Sequence, residues 1–149
     1  MLSPSITLEN ADKDDVDRIE TLLEANGLPS QDVRAEPDCF FLCYADTECI
    51  GIGGLEIYGS NGLLRSIVIL ESHRGQGYGT AVCDAVENYA RTSGTGTLYL
   101  LTTTAAAFFR QRGYEAIDRE AVPSSIQQTT EFADLCPSSA LCMRKHLPE

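Results

Sequence analysis

The sequence predicts a mixed α/β domain: a mostly antiparallel sheet of about six or seven strands in one layer, with helices on both faces. Three observations carry the prediction. Gly59-Ser60-Asn61-Gly62 is a hairpin signal between two apolar runs, because Asn and Gly accept the positive φ that tight hairpins need. The run Leu63–Leu70 is followed by an amphipathic helix and then by the short apolar run Leu98–Leu101, an order that makes the second strand parallel to the first. The other apolar runs are short and bounded by turn residues, with no linker, repeat or low-complexity stretch. Residues 1–149 are therefore expected to form a single domain, whose 149 residues and 43% hydrophobic content suffice to bury a core.

Each element has a local reason. Ser5–Glu9 reads as the first strand. Asn10 or Asp12 caps a helix running to about Ala25, with Val16, Ile19, Leu22 and Leu23 on one face and acids in its first turn; Asn26-Gly27 ends it. Gly27–Arg34 forms a loop or a short second helix. Cys39–Tyr44 and Cys49–Tyr58 are strands around the turn Asp46-Thr47-Glu48, and Leu63–Leu70 returns across the hairpin. A turn that slips by one residue flips every side chain, so the sequence leaves open whether Glu56 faces Arg65. Tyr78, Ala81, Val82, Ala85, Val86, Tyr89 and Ala90 recur at helical spacing, and Ser93–Gly96 stops that helix. Thr102-Thr103-Thr104 opens a further helix through Phe108-Phe109, closed by Gly113, before a strand at Tyr114–Ile117. A capping box of Ser124 with Gln127, or Ser125 with Gln128, starts a short helix that Cys136-Pro137 ends; Ser139–Arg144 is the last strand.

Charge and cysteine content exclude several function classes. The 22 acidic residues outnumber the 11 basic ones, for a net charge of −11, and Lys13 and Lys145 are the only lysines. Such a surface repels nucleic acid and anionic membranes, and it suits high salt. No run approaches the roughly 18 apolar residues of a membrane span, and the N-terminus lacks a basic-then-apolar leader, so a cytoplasmic location is expected. Six cysteines include no Cys-x-x-Cys pair, and His73 and His146 are not near a cysteine pair. No metal is expected, and reduced structural thiols are the plain reading.

Arg74-Gly75-Gln76-Gly77-Tyr78-Gly79 lies where a strand hands over to a helix. Alternating glycines remove Cβ atoms and let backbone N–H groups approach a ligand, the helix N-terminus favours negative charge, and Arg74 adds a positive one. The pattern points to a pyrophosphate; a turn that merely needs glycine is the plain alternative. A dinucleotide fingerprint would read Gly-x-Gly-x-x-Gly in the first strand–helix unit, with an acid ending the next strand. Here the spacing is Gly-x-Gly-x-Gly, it lies mid-chain after a hairpin, and the next strand ends in threonines. A Walker-type phosphate loop needs Gly-Lys-Ser/Thr, and the loop has no lysine.

The run Arg74-x-x-Gly77-x-Gly79 resembles motif A of the GCN5-related N-acetyltransferase (GNAT) superfamily. The likeness extends to Ile67-Val68-Ile69, the helix, Leu98-Tyr99-Leu100-Leu101, and Ala105 through Phe108-Phe109-Arg110-Gln111-Arg112-Gly113-Tyr114, covering about residues 64–114. Leu98–Phe109, Val122–Ile126, Phe132–Ala140 and Cys142–Lys145 are further similar to a GNAT group associated with arsenic resistance. The resemblance implies an acyl-CoA N-acyltransferase fold with a bulged strand before the loop and a splayed central parallel pair. It implies acetyl-CoA as co-substrate and a small-molecule amine as acceptor, in a setting of arsenical or amino-acid-analogue detoxification, and it is compatible with a homodimer. It also implies that the backbone of Ile67 and Ile69 pairs with the pantetheine arm and that an N–H around Val68 or Ile69 stabilises the oxyanion. The N–H groups of Arg74, Gly75, Gln76, Gly77, Tyr78 and Gly79, with the Thr80 hydroxyl, would hold the pyrophosphate; Thr103 and Phe109 would also touch the cofactor.

The implied reaction, attack of a neutral amine on a thioester, needs a way to deprotonate an ammonium and a donor to the leaving sulfur. The family's usual tyrosine acid is replaced by Phe109, which has no proton to give and fits a core role equally well. Thr102, Thr103, Thr104, Tyr99, Ser66 and Ser138 are the remaining hydroxyl candidates, Thr102 standing where the family often has asparagine. Glu56 is the first candidate base, with an ion pair to Arg65 as its structural alternative; Arg65 could instead hold an acidic group of the substrate. Glu131 and His73 read as solvated. The vacant acid keeps a non-catalytic acyl-CoA sensor in play, and Cys136 with Cys142 keeps a thiol-based metalloid binder.

Overall fold

The strands are β1 (Ile6–Asn10), β2 (Phe40–Ala45), β3 (Glu48–Tyr58), β4 (Asn61–Ile69), β5 (Thr97–Thr102), β6 (Glu115–Ala116) and β7 (Leu141–His146); the helices are α1 (Val16–Ala25), α2 (Tyr78–Thr92), α3 (Ala106–Gln111) and α4 (Ser124–Gln127). The computed structural model describes residues 5–27, 30, 33, 39–102, 105–128 and 140–147. The seven strands form one sheet in the order β1-β2-β3-β4-β5-β7-β6, mostly antiparallel, with β4 and β5 as the parallel pair. Packing divides the chain into two units, Met1–Leu55 with Ser66–Tyr89 and Glu56–Arg65 with Ala90–Glu149.

In the first unit, β1 pairs with β2 from Ile6–Ala45 to Asn10–Phe41, and β2 pairs with β3 around an irregularity at Cys43/Tyr44. α1 is entered through a 3-10 turn at Lys13–Asp15. There the Asp12 carboxylate accepts from the Asp14 N–H at 2.9 Å, and the Asp15 carboxylate accepts from the Asp12 N–H at 3.0 Å, a reciprocal capping box built from two aspartates. Val16, Ile19 and Leu23 of α1 are buried with Phe40, Leu42, Ile52 and Val68. Each such side chain contributes about 1.5–3 kcal/mol of burial. Successive strand residues point to opposite faces, and Gly53, next to Ile52, lies under α2: a Cβ there would sit 3.7 Å from Val86 Cγ2 and 3.8 Å from Val82 Cγ1. The two helices therefore cover opposite faces of this part of the sheet.

In the second unit, β5 pairs with β4 at Asn61–Thr97, Gly62–Leu98 and Leu63–Tyr99, and with β7 from Thr97–His146 to Thr102–Leu141. Leu63, Tyr99 and Cys142 share a core with Val122 and Ile126 from the segment around α4. Two local expectations change. The hairpin turn is Gly59-Ser60, with Gly59 at φ 64°, and Asn61 and Gly62 already belong to β4. α4 has Pro123 at its N-cap and no side-chain cap, so neither serine-led capping box forms; Gln127 Nε2 donates instead to the Val122 carbonyl at 2.7 Å. A proline at this position pre-sets the backbone and makes the serine dispensable. Among the described residues, no helix is long and apolar enough to cross a membrane.

Candidate functional site

The cofactor half of the predicted site lies in the first unit, at the end of β4. Counting outward from the two-residue turn Gly59-Ser60, Ile52 would oppose Ile67. Instead the Leu70 N–H bonds the Ile50 carbonyl, one residue out of that count, and Ile52 shares a buried cluster with Val68. The one-residue offset is absorbed at Ser66, whose φ of 60° lies in the left-handed region. A non-glycine residue held there costs on the order of 1–3 kcal/mol, and an extra strand residue kinks the strand as a bulge does.

That offset decides which backbone groups face outward. The Leu70 N–H donates to the Ile50 carbonyl at 2.9 Å, and the Val68 carbonyl lies so close to Gly51 that a Cβ there would be 2.3 Å away. Val68 and Leu70 thus direct their polar groups to β3. By strand alternation, Ile67 and Ile69 turn theirs to the opposite edge, where a pantetheine arm could pair; the Ile69 carbonyl already accepts from Arg74 Nε.

The loop that follows is tied on two sides. Arg74 Nε donates to the Ile69 carbonyl at 3.0 Å, and its Nη2 donates to Asn26 Oδ1 at 2.8 Å. His73 Nε2 is 3.0 Å from Glu48 Oε1, its ring meets Tyr78 edge-on, and its side chain is only 16% exposed. His73 is therefore held in place, and the expectation of a solvated histidine is corrected: Glu48, the start of β3, is folded against it. Between these ties Gly75 and Gly77 have φ 77° and 83°, and an added Cβ at either would meet no atom within 4 Å. Conformation, not crowding, requires glycine there. The Ala81 N–H makes the first α-helical bond, to the Gly77 carbonyl at 3.2 Å. The N–H groups of Tyr78, Gly79 and Thr80 precede it and have no partner within the helix, which is the anion-binding arrangement of a helix N-terminus. Gln76 and Thr80 are exposed beside them.

In the second unit the structure brings Glu56 and Arg65 together. Arg65 Nη1 donates to Glu56 Oε2 at 3.0 Å, with side chains 0% and 6% exposed. The Tyr58 hydroxyl donates to Glu56 Oε1. Tyr58 was not singled out by the sequence, although its position two residues from Glu56 on the same strand face was a usable signal. Both carboxylate oxygens of the candidate base are engaged, and Arg65 is turned into the protein. Thr102 Oγ1 accepts from the Ala105 N–H at 3.0 Å, fixing the entry to α3. Tyr99 is buried, with Arg144 opposite it on β7. Thr103, Thr104, Glu131, Cys136 and Ser138 lie outside the described residues.

The model of the Acetyltransferase (GNAT) family matches residues 7–114. The chain belongs to the GNAT acetyltransferase family. A Bacillus subtilis protein provisionally named an acetyltransferase is 30% identical over 110 residues, 69% of this chain and 75% of that one. The amino-acid acetyltransferase of Pseudomonas syringae is 35% identical over 65 residues, 44% of this chain but only 15% of that protein. The N-acetylglutamate synthase of Neisseria gonorrhoeae, solved with coenzyme A and N-acetyl-glutamate, superposes with a TM-score of 0.82 at 16% identity over 99% of this chain and 36% of its own. A Mycobacterium tuberculosis protein solved with CoA gives 0.76 at 19% identity, covering 95% and 99%. These structural likenesses show the acyl-CoA N-acyltransferase fold.

In this GNAT domain Phe109 is a core residue. It is 9% exposed, and its ring meets those of Phe108 at 5.1 Å and Tyr114 at 5.3 Å edge-on. The thiols of Cys43 and Cys142 are buried. Burial, and to a lesser extent Cys49 and Cys83, pushes the Cys43 thiol up to about 12, and burial pushes Cys142 to about 11. Burial therefore disfavours the reactive thiolate form of both. Among the described residues, no group of three His, Cys, Asp or Glu side chains is placed to hold a metal ion.

Proposed function

We propose that this GNAT domain moves the acetyl group of acetyl-CoA to the amine of a small molecule, with an amino acid or an amino-bearing analogue as the acceptor class. One observation carries the reading: the kink at Ser66 turns the backbone of Ile67 and Ile69 outward directly before a glycine loop with donors at a helix N-terminus. A strand edge followed by an anion cradle matches the two chemistries of CoA, an amide-bearing arm and a pyrophosphate. Ile67, Val68 and Ile69 are assigned to the arm, and Arg74 through Thr80 to the pyrophosphate. The amine nitrogen attacks the thioester carbon, that nitrogen loses a proton, the C–S bond breaks to leave the amide, and CoA departs as thiolate and is protonated.

With both oxygens occupied, Glu56 is assigned the task of anchoring Tyr58 and Arg65. Thr102, whose hydroxyl accepts from Ala105 and keeps its own proton, is the donor candidate. The likeness to amino-acid acetyltransferases supports the acceptor class; the arsenic link rests on the segments quoted above and extends the acceptors to amino-bearing arsenicals. A cytoplasmic, metal-independent domain of residues 1–149, alone or as a homodimer, completes the proposal.

Release of free thiol from acetyl-CoA, measured with a panel of amino acids, small amines and an amino-bearing arsenical, tests it. Acceptor-dependent release is expected. Tight CoA binding with no release for any acceptor would instead establish an acyl-CoA sensor.

A further inference from the structure

We infer that Asn26 is a positioning residue for the pyrophosphate loop, acting through Arg74. The inference rests on the CoA reading above and concerns how this chain holds its loop. Asn26 ends α1: its backbone N–H donates to the Leu23 carbonyl at 3.1 Å, and Gly27 follows at φ 68°. Its side-chain amide has two partners that fix which end is which. Nδ2 donates to the Leu22 carbonyl at 2.8 Å, a group that only accepts, and Oδ1 accepts from Arg74 Nη2 at 2.8 Å, a group that only donates. The amide therefore cannot flip without losing both bonds.

Arg74 is held in turn. Nη2 is bound to Asn26 and Nε to the Ile69 carbonyl, so two points of a rigid planar fork are fixed. Nη1 has no partner among the described residues. An exposed arginine would ordinarily sample many rotamers and lose that freedom when it meets an anion. Here the last turn of α1 has already set the direction of the guanidinium, next to Gly75 and Gly77. The Asn26–Arg74–Ile69 chain thus links the end of α1 to the end of β4 across the start of the loop, and it pre-orients both the cation and the loop backbone for phosphate.

The test compares ligands that differ in the phosphates. Dissociation constants of CoA and of pantetheine, which has the arm without the pyrophosphate, are measured by calorimetry for the wild type, Asn26→Ala, Asn26→Asp, Arg74→Ala and the Asn26→Ala/Arg74→Ala pair. The expected result is about a fivefold weakening of CoA binding in Asn26→Ala with pantetheine unchanged, no recovery in Asn26→Asp, whose carboxylate cannot donate to the Leu22 carbonyl and adds a negative charge beside the phosphates, and no further loss when Asn26→Ala is added to Arg74→Ala. Wild-type-like CoA affinity in Asn26→Ala, or equal losses for CoA and pantetheine, overturns the inference while leaving the CoA reading intact. Failure of the wild type to bind CoA overturns both. Should Asn26→Ala prove unstable, Asn26→Gly removes the same side chain with a residue suited to a helix end and carries the same outcomes.

Discussion

The buried pair Glu56–Arg65 gives the sharpest energetic prediction. Replacing Arg65 by Met keeps the length of the stem and removes the guanidinium, leaving Glu56 with the Tyr58 hydroxyl as its partner. The side chains are 0% and 6% exposed, so solvent cannot take over from the lost partner. Breaking a buried pair on one side costs about 3–5 kcal/mol, because the remaining charge stays desolvated. For a domain of this size each kcal/mol lowers Tm by about 2–4 °C, so Arg65→Met should melt about 6–20 °C below the wild type. The double variant Glu56→Leu/Arg65→Met removes both charges and should recover most of that loss, since a well-packed apolar replacement of an ion pair is often neutral. Thermal melts and urea unfolding of the wild type, both single variants and the double variant complete the cycle. A loss below about 1 kcal/mol in Arg65→Met, or a double variant as unstable as the worse single, would refute the claim that this buried pair depends on both charges.

Two further outcomes follow from the packing. Gly51→Ala places a Cβ 2.3 Å from the Val68 carbonyl, a backbone atom that cannot step aside, whereas Gly53→Ala meets at 3.1 Å the flexible end of Ile67; urea unfolding should show a loss of about 1–3 kcal/mol for the first and less for the second, and equal losses would contradict the tight approach of β3 and β4. The thiols of Cys43 and Cys142 should resist iodoacetamide at pH 7.5 in the native protein and react once it is unfolded. Their folded pKa values, about 12 and about 11, are raised above the ordinary 9.0, so the folded state holds protons that the unfolded state releases. Stability should therefore be intact below pH 9 and fall as pH rises toward 11–12, with a shallower decline in Cys43→Val/Cys142→Val.

The order of elements was legible because it depends on periods: two for the strands, 3.6 for α1 and α2, and glycine where the chain must turn. The glycine loop was legible as a turn because glycines at a strand–helix junction supply the positive φ found at Gly75 and Gly77. Register was not. Whether Glu56 meets Arg65 depends on a one-residue count, and the count changes again at Ser66, where a residue of no marked preference adopts φ 60°. No pattern in the sequence marks that position. His73 was misread because its partner Glu48 is remote in sequence, and the role of Asn26 beyond ending a helix depends on a contact 48 residues away. Side-chain partners of this kind are set by packing, which composition and spacing do not encode.

Proton inventory predicts how the rate should depend on pH. A thiol near pKa 8.5 makes a competent leaving group, so the lack of a tyrosine at Phe109 removes an aid and not a necessity. Deprotonating the acceptor is the harder demand. At pH 7 a lysine-type amine with pKa near 10.4 is about 0.04% neutral, whereas a peptide-type α-amine with pKa near 8 is roughly 10% neutral. Glu56 has both oxygens engaged by Arg65 and Tyr58, an arrangement poorly suited to drawing a proton from the less acidic amine. If the acceptor must arrive neutral, kcat/KM should rise about tenfold per pH unit and level off at the acceptor's own pKa. The plateau should then move when the acceptor is changed, for instance from an α-amino acid to an amine of lower pKa. Pre-steady-state and steady-state profiles over pH 6–10.5 with two such acceptors decide the matter: a plateau at one fixed pH for both would place the base on the enzyme, and loss of that plateau in Glu56→Gln would identify it as Glu56.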